Sequence, residues 1–162
     1  MRKHLIWASA TLALAIGAVN ACGGSPATSS ASPASSCINA SAAHHAYVVV
    51  QHSSGTSFQR CVGFAGDTID AQSLMDQSGI TFQTETFSFG KAVCSIDNEP
   101  KSYDKCFATT GPNWSLFVET NGSWVVAQTG YTAVNLHDKD ALGWRYIAYE
   151  PSPTPPPLPK AG

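Results

Sequence analysis

Charge is scarce in this chain: Asp, Glu, Lys and Arg make up 12% of 162 residues, nine basic against eleven acidic. The basic residues are scattered and form no stripe, so a groove that tracks phosphates has nothing to build from, and nucleic acid is excluded as a partner. Also lacking are a Cys-x-x-Cys spacing, a Gly-x-Ser-x-Gly elbow, a phosphate loop and any Ser, His and Asp set with local support. A redox or enzymatic role is therefore not expected. Apolar runs are short too. The longest, Leu5 to Val19, falls below a comfortable membrane span.

That run does have the length of a secretory h-region, and Arg2, Lys3 and His4 precede it, so residues 1–21 read as a signal peptide. It ends in Val19, Asn20, Ala21 and Cys22, which resembles the lipobox of bacterial lipoproteins, although Asn20 departs from the usual small residue. An ordinary signal peptidase could cut the same bond and release a soluble secreted protein. Cysteine count favours the anchor. Five cysteines leave one thiol unpaired, and lipidation of Cys22 leaves the even set Cys37, Cys61, Cys94 and Cys106, suited to an oxidising compartment. The expected location is extracytoplasmic, with the membrane reached through the lipid alone. Loss of Arg2 and Lys3 leaves seven basic side chains in the mature chain, which is mildly acidic.

Residues 22–36 are small, polar and proline-bearing, and read as a disordered tether. Residues 37–150 are long enough for one core and too short for two. Tyr47–Val50 and Phe58–Phe64, separated by Ser53, Ser54 and Gly55, read as a β-hairpin. Asp67 or Thr68 is positioned to cap a short helix in which Ala71, Leu74, Met75 and Ser78 share one face, and Gly79 ends it. Ala92, Cys94 and Ile96 read as the inner face of a strand that turns at Asp97, Asn98, Glu99 and Pro100.

The strongest local signal is Asn121-Gly122, the pair favoured in a type I′ turn. A two-residue loop there puts Trp114, Leu116, Val118, Val125 and Ala127 on a core face. Phe117, Glu119, Trp124, Val126 and Gln128 form the other face, more apolar than a solvated surface needs to be. Either a second layer covers it or it binds something. Gly143–Tyr149 is a closing strand, and residues 151–162 are a proline-rich tail with no core to join. Leu158–Gly162 resembles a sortase signal, but the hydrophobic segment such a signal requires does not follow it here.

Metal is not expected, because adjacent His44 and His45 point to opposite faces of a strand while His52 and His137 lie apart. Asp97, Glu99 and Asp104 could do acid and base work, yet such residues belong in a turn anyway, and Lys101 and Lys105 stand near enough to neutralise them. The second half of the domain is rich in rings. Phe117, Trp124 and Tyr149 are the candidate ligand-binding platform.

Arg60 and Cys61, the helix closing on Ser78 and Gly79, VCSIDNEP from Val93 to Pro100, Cys106, Trp114, Trp124, Gly130 and Gly143-Trp144 follow one another in a telling order. In order and spacing they resemble the transcobalamin C-terminal-like domain family, in its small secreted bacterial form. The resemblance runs from about Cys37 to the proline tail. It implies a single β-grasp-like α+β domain, a mixed sheet with one helix packed on one face. It also implies that Cys37 pairs with Cys61 and Cys94 with Cys106, closing loops that stabilise by roughly 3 kcal/mol each. The best understood members of the family use this domain as half of a clamp on a corrinoid, against a helical barrel absent from this sequence. The expectation is thus a non-catalytic, membrane-tethered binding module for a small ligand such as a corrinoid, with no cofactor. The alternative is an interaction lipoprotein that docks another cell-envelope protein through its aromatic hairpin face.

Overall fold

The structure is a computed structural model that describes residues 36–160, apart from position 109. The expected signal peptide, the lipidation site Cys22 and nearly all of the tether lie outside the described residues. No helix among the described residues is long and apolar enough to cross a membrane.

The hairpin expected near the start forms from β2 (His44–Gln51) and β3 (Ser57–Phe64), paired antiparallel from His44–Phe64 to Gln51–Ser57. Every β2 residue from Ala46 to Gln51 is buried, as a continuous apolar run should be when strands flank it and both faces are covered. Its second neighbour is the closing strand β10 (Ala141–Ala148), which runs parallel to it and antiparallel to β7 (Pro112–Thr120). β8 (Ser123–Val126) and the two-residue β1 (Cys37–Ile38) complete a six-stranded sheet in the order β1-β3-β2-β10-β7-β8. Two small pairs stand apart. One joins β4 (Ile69–Asp70) to β9 (Asn135–Leu136), the other β5 (Phe82–Phe87) to β6 (Gly90–Ile96).

The helix α1 (Ala71–Gln77) buries Ala71, Leu74 and Met75 in a core with Val48, Val50, Val62, Trp114, Leu142 and Trp144 on one face of the sheet. The architecture is therefore α+β, a mixed sheet with one α-helix packed on one face. The cap differs from the expected Asp67 or Thr68. Asp70 is the N-cap, its carboxylate accepting from the Ser73 N–H at 2.9 Å and the Ser73 hydroxyl at 2.7 Å. Ile69 and Asp70 are still extended because they pair with Leu136 and Asn135, so the helix cannot begin earlier.

The 114–128 hairpin has the expected register, with Phe117 opposite Val126, Val118 opposite Val125 and Glu119 opposite Trp124. Asn121 and Gly122 sit at φ 55° and 80°, the left-handed pair a type I′ turn requires. Two face assignments change. Val125, expected in the core, is 62% exposed, because β8 is the edge strand and Val125 lies outside the core beneath the helix. The alternation of Ala92, Cys94 and Ile96 also breaks: the β5–β6 register skips Cys94, so Val93 and Ile96 join the main core while Ala92 and Cys94 pack with Cys106.

The largest difference from expectation concerns the proline-rich tail, which lies against the sheet. It crosses the sheet face opposite the helix. Arg145 donates to the carbonyls of Thr154 (3.0 Å) and Pro155 (3.3 Å), Pro156 is buried, and Gln59 holds the main chain of Lys160. Gly143 makes room for this layer: a Cβ there would lie 2.7 Å from the Trp124 ring and 2.9 Å from Pro156 Cγ. Proline-rich segments leave their carbonyls free of internal bonds, and here Arg145 and Gln59 use them.

Candidate functional site

The candidate platform divides between two places. Phe117 is 1% exposed and meets Trp124 edge-on at 6.4 Å, beneath the layer formed by the tail. Trp124 is half-buried and packs beside Tyr47, Cys61, Ala141 and Cys37. Tyr149, 59% exposed, belongs elsewhere, lining a pocket to which neither Phe117 nor Trp124 contributes. The apolar excess of the second hairpin face is thus matched by a covering layer from the same chain.

The pocket arises from a mismatch of strand lengths. β7 has nine residues and β8 only four, so β8 pairs with Phe117–Thr120 and the chain then departs toward Gly130, whose N–H donates to the Phe89 carbonyl at 3.3 Å. Between Trp114–Leu116, Val126–Tyr131, Phe89–Val93 and the first tail residues lies a cavity of about 480 Å³. Trp114, Tyr131 and Trp144 are its buried rings, and Phe89, Phe107 and Tyr149 are its exposed ones. Phe89 stacks on Phe87 at 5.2 Å and tilts against Phe107 at 5.6 Å. Phe107 is positioned by its neighbour Cys106, which is bonded to Cys94; the other disulfide joins Cys37 to Cys61. These are the pairings that the family resemblance implies.

Polar side chains in the lining include Lys91, Asn113, Gln128, Thr129, Tyr131 and Glu150. The Trp114 indole N–H is spent on the Glu99 carbonyl at 2.8 Å. The Trp144 indole N–H is buried without a hydrogen-bond partner among the described residues. Half-buried Lys91 donates to the Gln72 side-chain carbonyl at 3.2 Å, as does the Tyr131 hydroxyl at 2.8 Å. Burial and the nearby Asp76 charge push the Tyr131 phenol up, against hydrogen bonds with Gln72 and Thr84, so it stays protonated and donating.

A second cluster joins the β2–β3 turn to the turn after β6. Glu99 accepts from His52 Nδ1 at 2.5 Å and from the Ser53 hydroxyl, and the His52 ring lies edge-on to Trp114 at 5.6 Å. Partial burial raises the Glu99 carboxyl, but the hydrogen bonds from Ser53 and His52 and the His52 charge outweigh it and hold it below its ordinary value. No ion pair within 4.0 Å joins Glu99 to Lys101 or Lys105 among the described residues; its partner is a histidine 47 positions away. His44 and His137 sit beside Asp138 and Asp140 in the loop before β10. Glu85, Cys94 and Cys106 also converge, but both sulfurs are joined in the disulfide, which leaves one exposed carboxylate for any cation.

No protein-family model matches the chain. No curated protein matches it either. Among solved structures it is similar to a crystal structure titled "putative metal binding protein" from Ruminococcus gnavus ATCC 29149, at 15% identity, over 66% of this chain and 99% of that one, with a TM-score of 0.49. A likeness of that degree decides neither fold nor ligand.

Lys91 and Phe107 are pocket residues that sequence reasoning missed. Their meeting depends on the β6 turn folding toward Gly130 and on the Cys94–Cys106 bridge, neither of which leaves a periodic trace in the sequence. The one available signal was a cluster of phenylalanines, Phe87, Phe89 and Phe107, on both sides of a disulfide.

Proposed function

We propose that this protein is a non-catalytic, extracytoplasmic binding module, tethered through Cys22, that captures a small ring-bearing ligand such as a corrinoid. The observation that carries the reading is the concave, ring-lined cavity of about 480 Å³ beside the 114–128 hairpin, within the roughly 300–1,000 Å³ range of small-molecule sites. Exposed Phe89, Phe107 and Tyr149 supply apolar surface that core packing does not consume. Docking of another envelope protein through Phe117 and Trp124 is the weaker reading, because the tail lies over that face. The β-grasp-like family resemblance is supported by the central parallel pair β2–β10, flanked by the β2–β3 and β7–β8 hairpins, with the helix across one face.

A corrinoid would sit with one edge in the cavity and the rest of the ring against Phe89, Phe107 and Tyr149. Equilibrium dialysis of the oxidised chain, tail included, against corrinoids followed by their visible absorbance tests this. Saturable retention that Phe107→Ser abolishes supports the reading. Retention unchanged by Phe107→Ser, or absent from the start, removes the corrinoid.

A further inference from the structure

One cation, Lys91, and one carboxylate, Glu150, line the pocket beside the buried ring of Trp144. Trp144 is 2% exposed and its indole N–H, which only donates, has no partner among the described residues. That N–H has no surface open to the cavity, so it is a cost of the fold and not a contact for a ligand. Lys91, also in the lining, carries three donors; its one named partner is the neutral Gln72 carbonyl, and it forms no ion pair among the described residues.

Two carboxylates bear on that charge. Asp76 is held by the Gln72 amide, at 2.9 and 3.0 Å, on the far side of Gln72 from Lys91. Glu150 lines the pocket but is exposed, where solvent screens it, whereas Lys91 is half-buried. Lys91 is therefore the less screened of the two charges in the lining, within walls of aromatic rings.

We infer that the pocket is selective for a ring-bearing anion, whose flat apolar body lies among Phe89, Phe107 and Tyr149 and whose carboxylate or sulfonate meets Lys91. This rests on the pocket reading proposed above and adds the charge and polarity of the ligand.

The test uses two fluorescent probes that differ in one group, 8-anilinonaphthalene-1-sulfonate and its uncharged analogue N-phenyl-1-naphthylamine, titrated into the oxidised chain. The expected result is saturable binding of both, with the sulfonate favoured by about tenfold, as a charge-assisted hydrogen bond in a half-buried site provides. Lys91→Gln should reduce that preference to within about threefold while leaving the neutral probe unaffected, and Phe107→Ser should weaken both probes. A thermal melt of each variant checks that the fold is kept. Equal affinity for the two probes, or a preference that survives Lys91→Gln, overturns the anion selectivity and leaves the pocket standing. Binding of neither probe, or binding indifferent to Phe107→Ser, overturns the pocket reading and this inference together.

Discussion

Gln59 and Lys160 lie 101 residues apart and are joined by two hydrogen bonds, the Gln59 amide donating to the Lys160 carbonyl at 2.7 Å and the Lys160 N–H donating back at 2.9 Å. A buried side chain on β3 thus holds the main chain of the tail across a sheet face that would otherwise expose Phe117. Gln59→Leu keeps most of the volume and removes both bonds. It should lower unfolding free energy by about 1–3 kcal/mol, the net contribution of two hydrogen bonds. The amides of Thr154, Leu158 and Lys160 should then exchange hydrogen faster while β2 and β10 stay protected. Unchanged exchange in the tail would show that the bonds do not hold it.

Gly143 tests the same layer from beneath. Alanine there places a Cβ against the Trp124 ring and Pro156, in a strand whose neighbours on both sides are fixed by pairing. Gly143→Ala should therefore displace the tail, not the strand, at a loss of about 1–3 kcal/mol typical of overpacking. Trp124 emission should shift to the red, read in a background where the other tryptophans are replaced by Phe. An unshifted spectrum would mean that the slot tolerates the methyl.

The two layers of this sheet differ in how far the sequence discloses them. Alternation and Asn121-Gly122 were enough for the 114–128 hairpin and its register, since both are local consequences of backbone geometry. The helix face was legible for the same reason, though its cap moved to Asp70 once β4 paired with a strand 66 positions on. The covering layer was not legible. Composition marks the tail as proline-rich, and its attachment depends on carbonyl oxygens that every sequence possesses, recognised by Gln59 and Arg145 from other strands. The pocket failed in a similar way. Phe89 and Phe107 meet across a turn and a disulfide, and the stacking partner of a ring is not encoded in its spacing.

The Cys94–Cys106 bridge should matter to binding as well as to stability. It closes a short loop, for which the chain-entropy model gives about 3 kcal/mol, and it fixes the position of Phe107 at the pocket rim. Replacing both cysteines by serine should lower the melting temperature and weaken 8-anilinonaphthalene-1-sulfonate. The corresponding change at Cys37 and Cys61, on the other side of the sheet, should lower the melting temperature and leave the probe affinity unaltered. Equal losses of affinity in both double variants would mean that the first bridge has no particular hold on the pocket.

Acid should open the molecule at the junction of the β2–β3 turn and the turn after β6. In the folded chain the Glu99 carboxyl is held below its ordinary value of 4.5, with Ser53 and His52 outweighing the effect of burial. A carboxyl whose folded value lies under its unfolded value contributes stability that is complete above the unfolded value and disappears as pH falls through the folded one. Stability should therefore be flat near neutrality and decline below about pH 4.5. In Glu99→Gln the titrating group is gone, so the variant should be less stable at pH 7 and should lose less on acidification. Because Trp114 donates to the Glu99 carbonyl and faces His52, the wild-type decline should be accompanied by a change in tryptophan emission. Urea titrations at pH 7, 5 and 3.5 decide the matter: parallel pH profiles for the two proteins would assign the acid sensitivity to other carboxylates.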